Sequence, residues 1–498
     1  MTKKDMRLQF SGYMIFAAKM LSVATALIFQ YWVAHAVNKV EYDLWFNITD
    51  LTGYFTLLAG VLPFWVMRFA TRDKEGAIKT GIIANLATSA IASVVWLISI
   101  PVILSALGIN TTYLPVYFLA ALQIVELYST SALEASLQAR IPQTIGYGLI
   151  IQQIIRVTVG YVLIFQFGQL LMGAVAATIS GCAVQLVYYF KLIAPELKQK
   201  IRMDYIREWL KGSVGNIYNV VGNQMAVYIF IMLFAYGGEG ARGKLGAASI
   251  IVNVITYSSF LAYALYPKLL AERKCEDITV CLKMVLMFAV PLTAGAIALA
   301  NSYVSILRPE HADAGPVLVV LALDSLLVVV TSLFATVLFG FETIDEEAKI
   351  SLRQLVRSRM FIAFSLPYLH SAISLPSAFY ILTNFAQGQP LQAALCVAII
   401  NLTARLATFS IQYSVARKAA TISIPWKNIA KYVLAASAMA ITLYLAPHPA
   451  GRALTLMETA GVFLETVAGG AIYIALLMLI DKEVRRIPKE ILREFRKR

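Results

Sequence analysis

Basic side chains inside apolar segments are the residues of this sequence that could bind a ligand. Lys19, Arg156 and Arg405 each lie deep within a long apolar run. A charge at the centre of a bilayer costs about 2.5–3.5 kcal/mol on insertion scales, so it usually faces a cavity or a partner. Because ammonium and guanidinium groups hold phosphates through charge-assisted hydrogen bonds, these residues predict a cavity for an anionic ligand. Arg357 joins them if an internal repeat sets its depth, and lies at the interface if hydropathy alone decides.

Amide side chains form a second group. Asn216, Asn219 and Asn223 follow one another at i, i+3 and i+7, which places them on one face of a helix. Asn253 adds an amide to the next apolar run. Asparagines in such helices either bind neighbouring helices or line a wet pathway, where amides suit sugar hydroxyls. We favour the pathway, and therefore a cargo that is both anionic and rich in hydroxyl groups.

Asp50, Glu126 and Asp324 are acids within apolar runs, and they are our candidates for coupling to H⁺ or Na⁺. The dispersed His and Cys residues form no metal-ligand spacing, and the sequence contains neither a G-x-x-x-x-G-K-[ST] loop nor a G-x-S-x-G turn. We expect no enzyme activity, no metal and no cofactor beyond a coupling ion.

The elements that position these residues follow from composition. Of the 498 residues, 59% are hydrophobic and only 14% are charged, whereas soluble domains average about 45–50% and about 25%. The mean hydropathy is +0.72. These values indicate an all-α polytopic membrane protein and exclude a soluble nucleic-acid-binding domain, although the net charge is +14.

Fourteen apolar runs predict fourteen transmembrane helices of about 20 residues or more. The run that starts at 349 is followed by a segment with Ser374, Pro376 and Ser377, which predicts a bent or re-entrant continuation. The predicted spans are 9–37, 44–69, 80–104, 113–139, 146–167, 170–192, 213–236, 246–269, 280–306, 316–341, 349–372, 389–416, 425–446 and 456–480.

The distribution of Lys and Arg predicts the orientation. Most of the 42 basic residues fall in the N-terminal tail, the even-numbered loops and the C-terminal tail. The other side receives only Lys39, Arg242, Lys244, Arg308 and Arg452. Because basic loops stay in the cytoplasm, we expect both termini to be cytoplasmic and the protein to reside in the cell membrane.

An internal repeat divides the chain into two similar parts. A shift of 201 residues aligns the Arg72–Glu75 loop with Arg273–Glu276, and a shift of about 220 aligns Gly168-Gln169 with Gly388-Gln389. We therefore predict two pseudo-symmetric six-helix lobes related by an axis along the membrane normal. The predicted units are a first lobe (1–195), a basic cytoplasmic linker (196–212), a second lobe (213–418), two additional helices (419–480) and a basic cytoplasmic tail (481–498).

This pattern resembles the polysaccharide-transporter (Wzx-type) branch of the multidrug/oligosaccharidyl-lipid/polysaccharide (MOP) flippase superfamily. The resemblance rests on twelve helices in two lobes, two added helices, a basic N-terminus followed by Ser11-Gly12, and the Arg72–Glu75 loop. It implies a MATE-like, V-shaped monomer that moves a polyprenyl-(pyro)phosphate-linked oligosaccharide from the inner to the outer leaflet. Lys19 matches the first-helix basic position that contacts the anionic head group in relatives. The added helices resemble those that border a lipid-tail groove in peptidoglycan lipid-precursor flippases.

Several alternatives remain open from the sequence. A peptidoglycan lipid-precursor flippase or a multidrug cation efflux pump would share the superfamily, although three deep cations oppose a cationic cargo. A membrane-embedded glycosyltransferase would need a large outer domain, which the short outer loops lack. A scaffold would not need two repeated lobes with polar interiors. The expected partners are the lipid-linked oligosaccharide and membrane lipids, without nucleic acid.

The orientation can be tested with reporter fusions. Alkaline phosphatase fused after Arg498 should be inactive and green fluorescent protein at the same position should fluoresce, because a basic C-terminal tail stays in the cytoplasm. Phosphatase inserted in the loop at Asn110 should be active. Active phosphatase after Arg498 would contradict the predicted orientation.

Overall fold

The computed structural model describes 39–106, 109–238, 241–307, 313–342, 356–446 and 456–486, together with 13–18, 20–22, 25, 29, 32, 33 and 36. Throughout these residues the chain is helical and contains no strand, which confirms the all-α prediction. The helices are α1 (Lys39–Phe55), α2 (Val61–Thr71), α3 (Ala77–Ala106), α4 (Leu114–Arg140), α5 (Gln143–Tyr161), α6 (Leu170–Ile193), α7 (Met203–Tyr236), α8 (Ala241–Thr256), α9 (Leu265–Glu272), α10 (Cys275–Ala298), α11 (Ala300–Leu307), α12 (Gly315–Gly340), α13 (Arg359–Asn384), α14 (Pro390–Ala419), α15 (Trp426–Leu445) and α16 (Leu456–Ile480).

Ten helical segments in the described part of the chain are long and apolar enough to cross a bilayer. This number supports a multi-pass membrane protein. The ten segments do not include α7 and α13. The predicted first span, 9–37, lies largely outside the described residues.

Several predicted spans are interrupted. The run 44–69 forms two helices, α1 and α2, separated by a turn at 56–60. The run 246–269 forms α8, a 3₁₀ segment at Tyr257–Ala262 and α9. The run 280–306 forms α10 and α11, with a break at Leu299. Hydropathy reports how apolar a segment is and not whether its backbone is continuous, so these breaks were not predicted.

The segment after span eleven, predicted to be bent or re-entrant, is not re-entrant. Instead, α13 runs without interruption from Arg359 to Asn384, with Pro367 and Pro376 inside the helix. The helix begins at Ser358, whose hydroxyl accepts a hydrogen bond from the backbone N–H of Phe361 at 3.1 Å. Prolines are tolerated in membrane helices when other groups satisfy the freed carbonyls, so they did not mark a break here.

The backbone supports the sequence repeat at three places. Asp73 after α2 and Arg273 after α9 both adopt left-handed conformations, with φ of 54° and 52°. Gly168 before α6 and Gly388 before α14 do the same, with φ of 64° and 69°. A proline also starts both α4 and α12. The turns at Asp73 and Arg273 align at a shift of 200 residues, one less than the predicted 201, and Gly168 and Gly388 align at the predicted shift of about 220.

Packing groups the helices further. We use first half for residues 13–193 and second half for residues 213–419. In the first half α3 packs on α4, and α6 packs on both α4 and α5. In the second half α12 packs on α8 and α14, and α13 packs on α7 and α14. Helix α15 packs on α10 and α16. The division into lobes, linker and tail stays a prediction.

Alanine at either left-handed glycine should lower stability by a similar amount. A Cβ at Gly168 or Gly388 would meet no atom within 4 Å, so the cost should come from the backbone alone and be about 1 kcal/mol. The apparent melting temperatures of Gly168→Ala and Gly388→Ala in detergent should both fall. Gly461→Ala is the control, because that site is equally open and lacks a positive φ. Unchanged melting temperatures in both variants would contradict the assignment.

Candidate functional site

A cluster of polar side chains joins three helices of the second half. Arg405 of α14 donates to both carboxylate oxygens of Asp324 of α12, with Nε–Oδ1 and Nη2–Oδ2 distances of 2.6 and 3.3 Å. Nearby on α13, the His370 Nε2 atom lies 3.2 Å from Oδ1 of Asn401 on α14. Asp324, His370 and Asn401 are all buried. The cluster therefore ties α12, α13 and α14 together through charge and hydrogen bonds.

This ion pair changes how two predicted residues are understood. The sequence assigned Arg405 to ligand binding and Asp324 to ion coupling, but the structure places their side chains on each other. The charge of Arg405 is therefore matched and is not free for a ligand in this conformation. The Arg405 side chain is 28% exposed. His370 and Asn401 were missed as a pair, because their separation along the chain contains no signal of their contact.

Arg156 has a different environment in the first half. Its guanidinium carbon lies 5.0 Å from the centroid of the Phe29 ring, in a cation–π contact. The Nε and Nη2 atoms are buried without a hydrogen-bond partner among the described residues. Helix α6 approaches closely here at Gly181, where a Cβ would lie 3.1 Å from Cβ of Arg156. Arg156 is thus a half-buried cation with two buried donor nitrogens, Nε and Nη2, that lack a hydrogen-bond partner among the described residues.

The amides on α7 and α8 are accessible. Asn223 and Asn253 are exposed and Asn219 is half-buried. Asn223 Nδ2 donates to the Asn219 backbone oxygen at 2.9 Å and to its Oδ1 at 3.1 Å. These hydrogen bonds run along α7 and do not join two helices. The side chain of Asn216 lies outside the described residues. The role of these amides in a wet pathway stays a prediction.

The remaining predicted residues fall into three groups. Lys19 and the side chain of Asp50 lie outside the described residues. Glu126 is buried on α4. Arg357 is exposed and lies just before the start of α13, so the repeat-based expectation that it is buried at bilayer depth is wrong. The helix starts later than the repeat implies, and Arg357 therefore stays at a helix end.

An apolar cavity of about 420 Å³ lies between the second half and the two C-terminal helices. Its walls come from α8, α10, α11, α15 and α16, with Phe288, Met439 and Phe463 among the lining residues. Two hydroxyl groups there, those of Tyr303 and Thr466, are 2.7 Å apart and bind each other. The cavity is therefore suited to an aliphatic chain.

Comparison with known proteins identifies the architecture. No protein-family model matches this sequence, and no curated protein matches it. Among solved structures, MATE in complex with MaL6 is similar, with a TM-score of 0.66 and 12% identity over 84% of this chain and 99% of that one. The chain has the fold of the MATE transporters. At this identity the likeness shows the MATE fold alone.

Two further structures share the MATE fold. One is the outward-facing conformation of a multidrug resistance MATE transporter of the MOP superfamily, with a TM-score of 0.64, 12% identity and coverage of 84% and 98%. The other is a MOP superfamily transporter from Pyrococcus furiosus, described by the reverse polarity of its binding pocket, with a TM-score of 0.63, 13% identity and coverage of 84% and 98%. The MATE fold thus extends over most of this chain.

The Arg405–Asp324 pair can be tested by a double-mutant cycle. Arg405→Gln should destabilise the protein by about 2 kcal/mol or more, because it leaves a buried carboxylate unpaired. Asp324→Asn should also destabilise the protein, because it leaves the guanidinium of Arg405 without its carboxylate partner. The double variant should recover much of the loss, with the free energy measured by denaturant unfolding in detergent. Strictly additive losses would contradict a direct interaction.

Proposed function

We propose that this protein is a transporter that moves a polyprenyl-(pyro)phosphate-linked oligosaccharide from the inner to the outer leaflet by alternating access. The MATE fold and the many apolar helices support a membrane transporter. The proposal places the chain in the Wzx-type branch of the MOP superfamily. It also places the protein in the cell membrane as a monomer, with both termini in the cytoplasm.

The observation that carries the proposal is the pair of buried guanidinium nitrogens of Arg156, Nε and Nη2, which lack a partner among the described residues. An arginine that lacks hydrogen-bond partners in an apolar setting is costly unless a ligand supplies acceptors. A phosphate group matches the planar fork of guanidinium and can accept from Nε and Nη2 at once. Lys19, on the first predicted apolar run, would add a second cation for a pyrophosphate. The anionic head group is therefore assigned to the first half.

The other parts of such a cargo have suitable partners elsewhere. Asn219, Asn223 and Asn253 offer amide donors and acceptors to the sugar hydroxyls. The apolar cavity between α8, α10, α11, α15 and α16 offers a dry surface to part of the lipid chain. Different residues would therefore bind the phosphate, the sugar and the lipid chain of the cargo.

Coupling to H⁺ or Na⁺ is assigned to the Asp324–Arg405 pair. When a proton or Na⁺ binds the carboxylate, the attraction that holds the guanidinium is weakened. Arg405 would then be released to bind an anion. The paired state would respond to the coupling ion, and the separated state would bind the substrate. Glu126 and Asp50 remain further coupling candidates.

Two other cargoes have support. A peptidoglycan lipid precursor carries the same phosphate chemistry and would use the same residues. Multidrug cation efflux is favoured by the buried carboxylate of Glu126 and by the multidrug transporter among the similar structures. A cation would be repelled by Arg156, however, and this repulsion favours the anionic cargo.

Substitution of Arg156 should test the proposal. In proteoliposomes, Arg156→Gln should slow outward movement of a polyprenyl-pyrophosphate-linked oligosaccharide roughly ten- to hundredfold, because a hydrogen bond to a charged group contributes about 1.5–3 kcal/mol. Lys19→Ala should slow it in the same direction. Arg156→Lys should keep part of the rate, since the charge remains and the fork is lost.

Arg202→Gln is the matched control. Arg202 is an exposed arginine whose partner is Asp204, and its loss should leave the rate unchanged. A parent protein that moves a cationic dye and not the lipid-linked oligosaccharide would support efflux. Unchanged oligosaccharide movement by both Arg156→Gln and Lys19→Ala would reject the binding roles.

A further inference from the structure

Arg68, near the end of α2 in the first half, contacts the second half. Its side chain is completely buried, with 0% exposure. The Nη1 atom donates to the backbone oxygen of Phe339 at 2.7 Å and to the hydroxyl of Tyr266 at 3.0 Å, and Nη2 donates to the backbone oxygen of Glu342 at 3.0 Å. One side chain thus binds α9 and the end of α12.

Two acceptors of Arg68 lie at the C-terminal end of α12: the Phe339 carbonyl is in its last turn and the Glu342 carbonyl is two residues beyond it. The last carbonyls of a helix lack intrahelical partners and carry the negative end of its dipole, and α12 ends at Gly340. Arg72 donates to the same oxygen of Glu342 at 2.7 Å. The Glu342 carboxylate in turn accepts from the backbone N–H of Arg359 at the start of α13. The first half therefore caps α12 and reaches the start of α13.

Other contacts between the halves lie at the same end of the helices. Gln138 of α4 donates to the backbone oxygen of Tyr263 at 2.8 Å. The Phe64 ring of α2 packs edge-on against Phe339 of α12, with centroids 6.0 Å apart. We call this end, where Arg68, Arg72 and Lys268 lie, the basic end. The distribution of Lys and Arg predicts that it faces the cytoplasm.

The repeat shows why Arg68 is directed across the halves. At the shift of 200 residues set by Asp73 and Arg273, Arg68 corresponds to Lys268 of α9. Lys268 binds Asp277 of α10 within its own half at 2.6 Å, and both side chains are nearly buried. The position that corresponds to Asp277 is Ala77, at the start of α3. Because alanine offers no carboxylate there, this intra-half pair cannot form in the first half.

We propose that Arg68 is a latch that holds the basic ends of the two halves together, and that its release opens this side of the protein to cargo. This inference rests on the alternating-access transport proposed above. The hydrogen bonds of the latch favour the closed state, while water can satisfy the guanidinium and the carbonyls once the halves separate. The latch is therefore strong enough to close the basic end and remains reversible.

Distance measurements between spin labels test the latch without any cargo. Labels at Glu75→Cys and Ala271→Cys, both exposed at the basic end of opposite halves, report their separation in lipid nanodiscs. The four native cysteines, which are free thiols, are replaced by serine or alanine. We expect one short distance in the parent. Arg68→Gln should add a longer distance, with the ratio of open to closed protein raised roughly tenfold or more by the loss of charge-assisted hydrogen bonds.

A second variant leaves Arg68 in place. Ala77→Asp recreates the acid of the second half and gives Arg68 a partner within its own half, so it should open the basic end in the same direction. Arg140→Gln is the matched control, because Arg140 lies at the basic end and binds Asp73 and Glu196 without crossing to the second half. Its distance distribution should match that of the parent.

The outcomes are distinct. A folded Arg68→Gln protein whose distance distribution equals that of the parent overturns the latch. If Arg68→Gln does not fold, the Ala77→Asp protein decides by the same criterion. Opening by Arg140→Gln to the same extent would also overturn the proposal, since any lost charge would then suffice. Because no oligosaccharide is present, a wrong cargo assignment leaves this result unaffected.

Discussion

The structure depends on one constraint: a charge within an apolar helix bundle must have a partner. Arg405 meets the constraint with a carboxylate, Lys268 with another, and Arg68 with the carbonyls of a neighbouring helix end. Arg156 is different, because its ring contact with Phe29 leaves two buried donors unused among the described residues. At Arg156 a ligand could therefore supply the hydrogen-bond acceptors that these two nitrogens lack.

The two halves share a backbone plan and differ in their charges. The left-handed turns and the proline-started helices recur, as expected for copies of one unit. At a shift of 200 residues, however, the acid that binds Lys268 is replaced by Ala77, and at the predicted shift of 201 half-buried Arg156 corresponds to exposed Arg357. The shared features build the fold. The differences give each half its own arrangement of charge.

The helical content and most spans could be predicted from sequence, because apolar run length reports burial in a membrane. The turn at Gly168 and Gly388 was also predictable, since an adjacent glycine and glutamine recur in both copies. The Arg405–Asp324 and His370–Asn401 contacts were not. Such pairs depend on how each helix is rotated about its own axis, and a long apolar run with few polar residues leaves that rotation undetermined.

The proposed transport assigns different tasks to the two halves, because Arg156 and Arg405 have different partners. A cation without an acid nearby, as Arg156 is in the described structure, attracts an anion in every state of the protein and therefore suits capture. A cation paired with an acid, as Arg405 is, attracts an anion only after the acid is neutralised, so it can respond to an ion gradient. A carrier that used only the first arrangement would bind its cargo and have no means to link release to that gradient. The presence of both arrangements in one chain is the basis of the coupled transport of an anionic lipid that we propose.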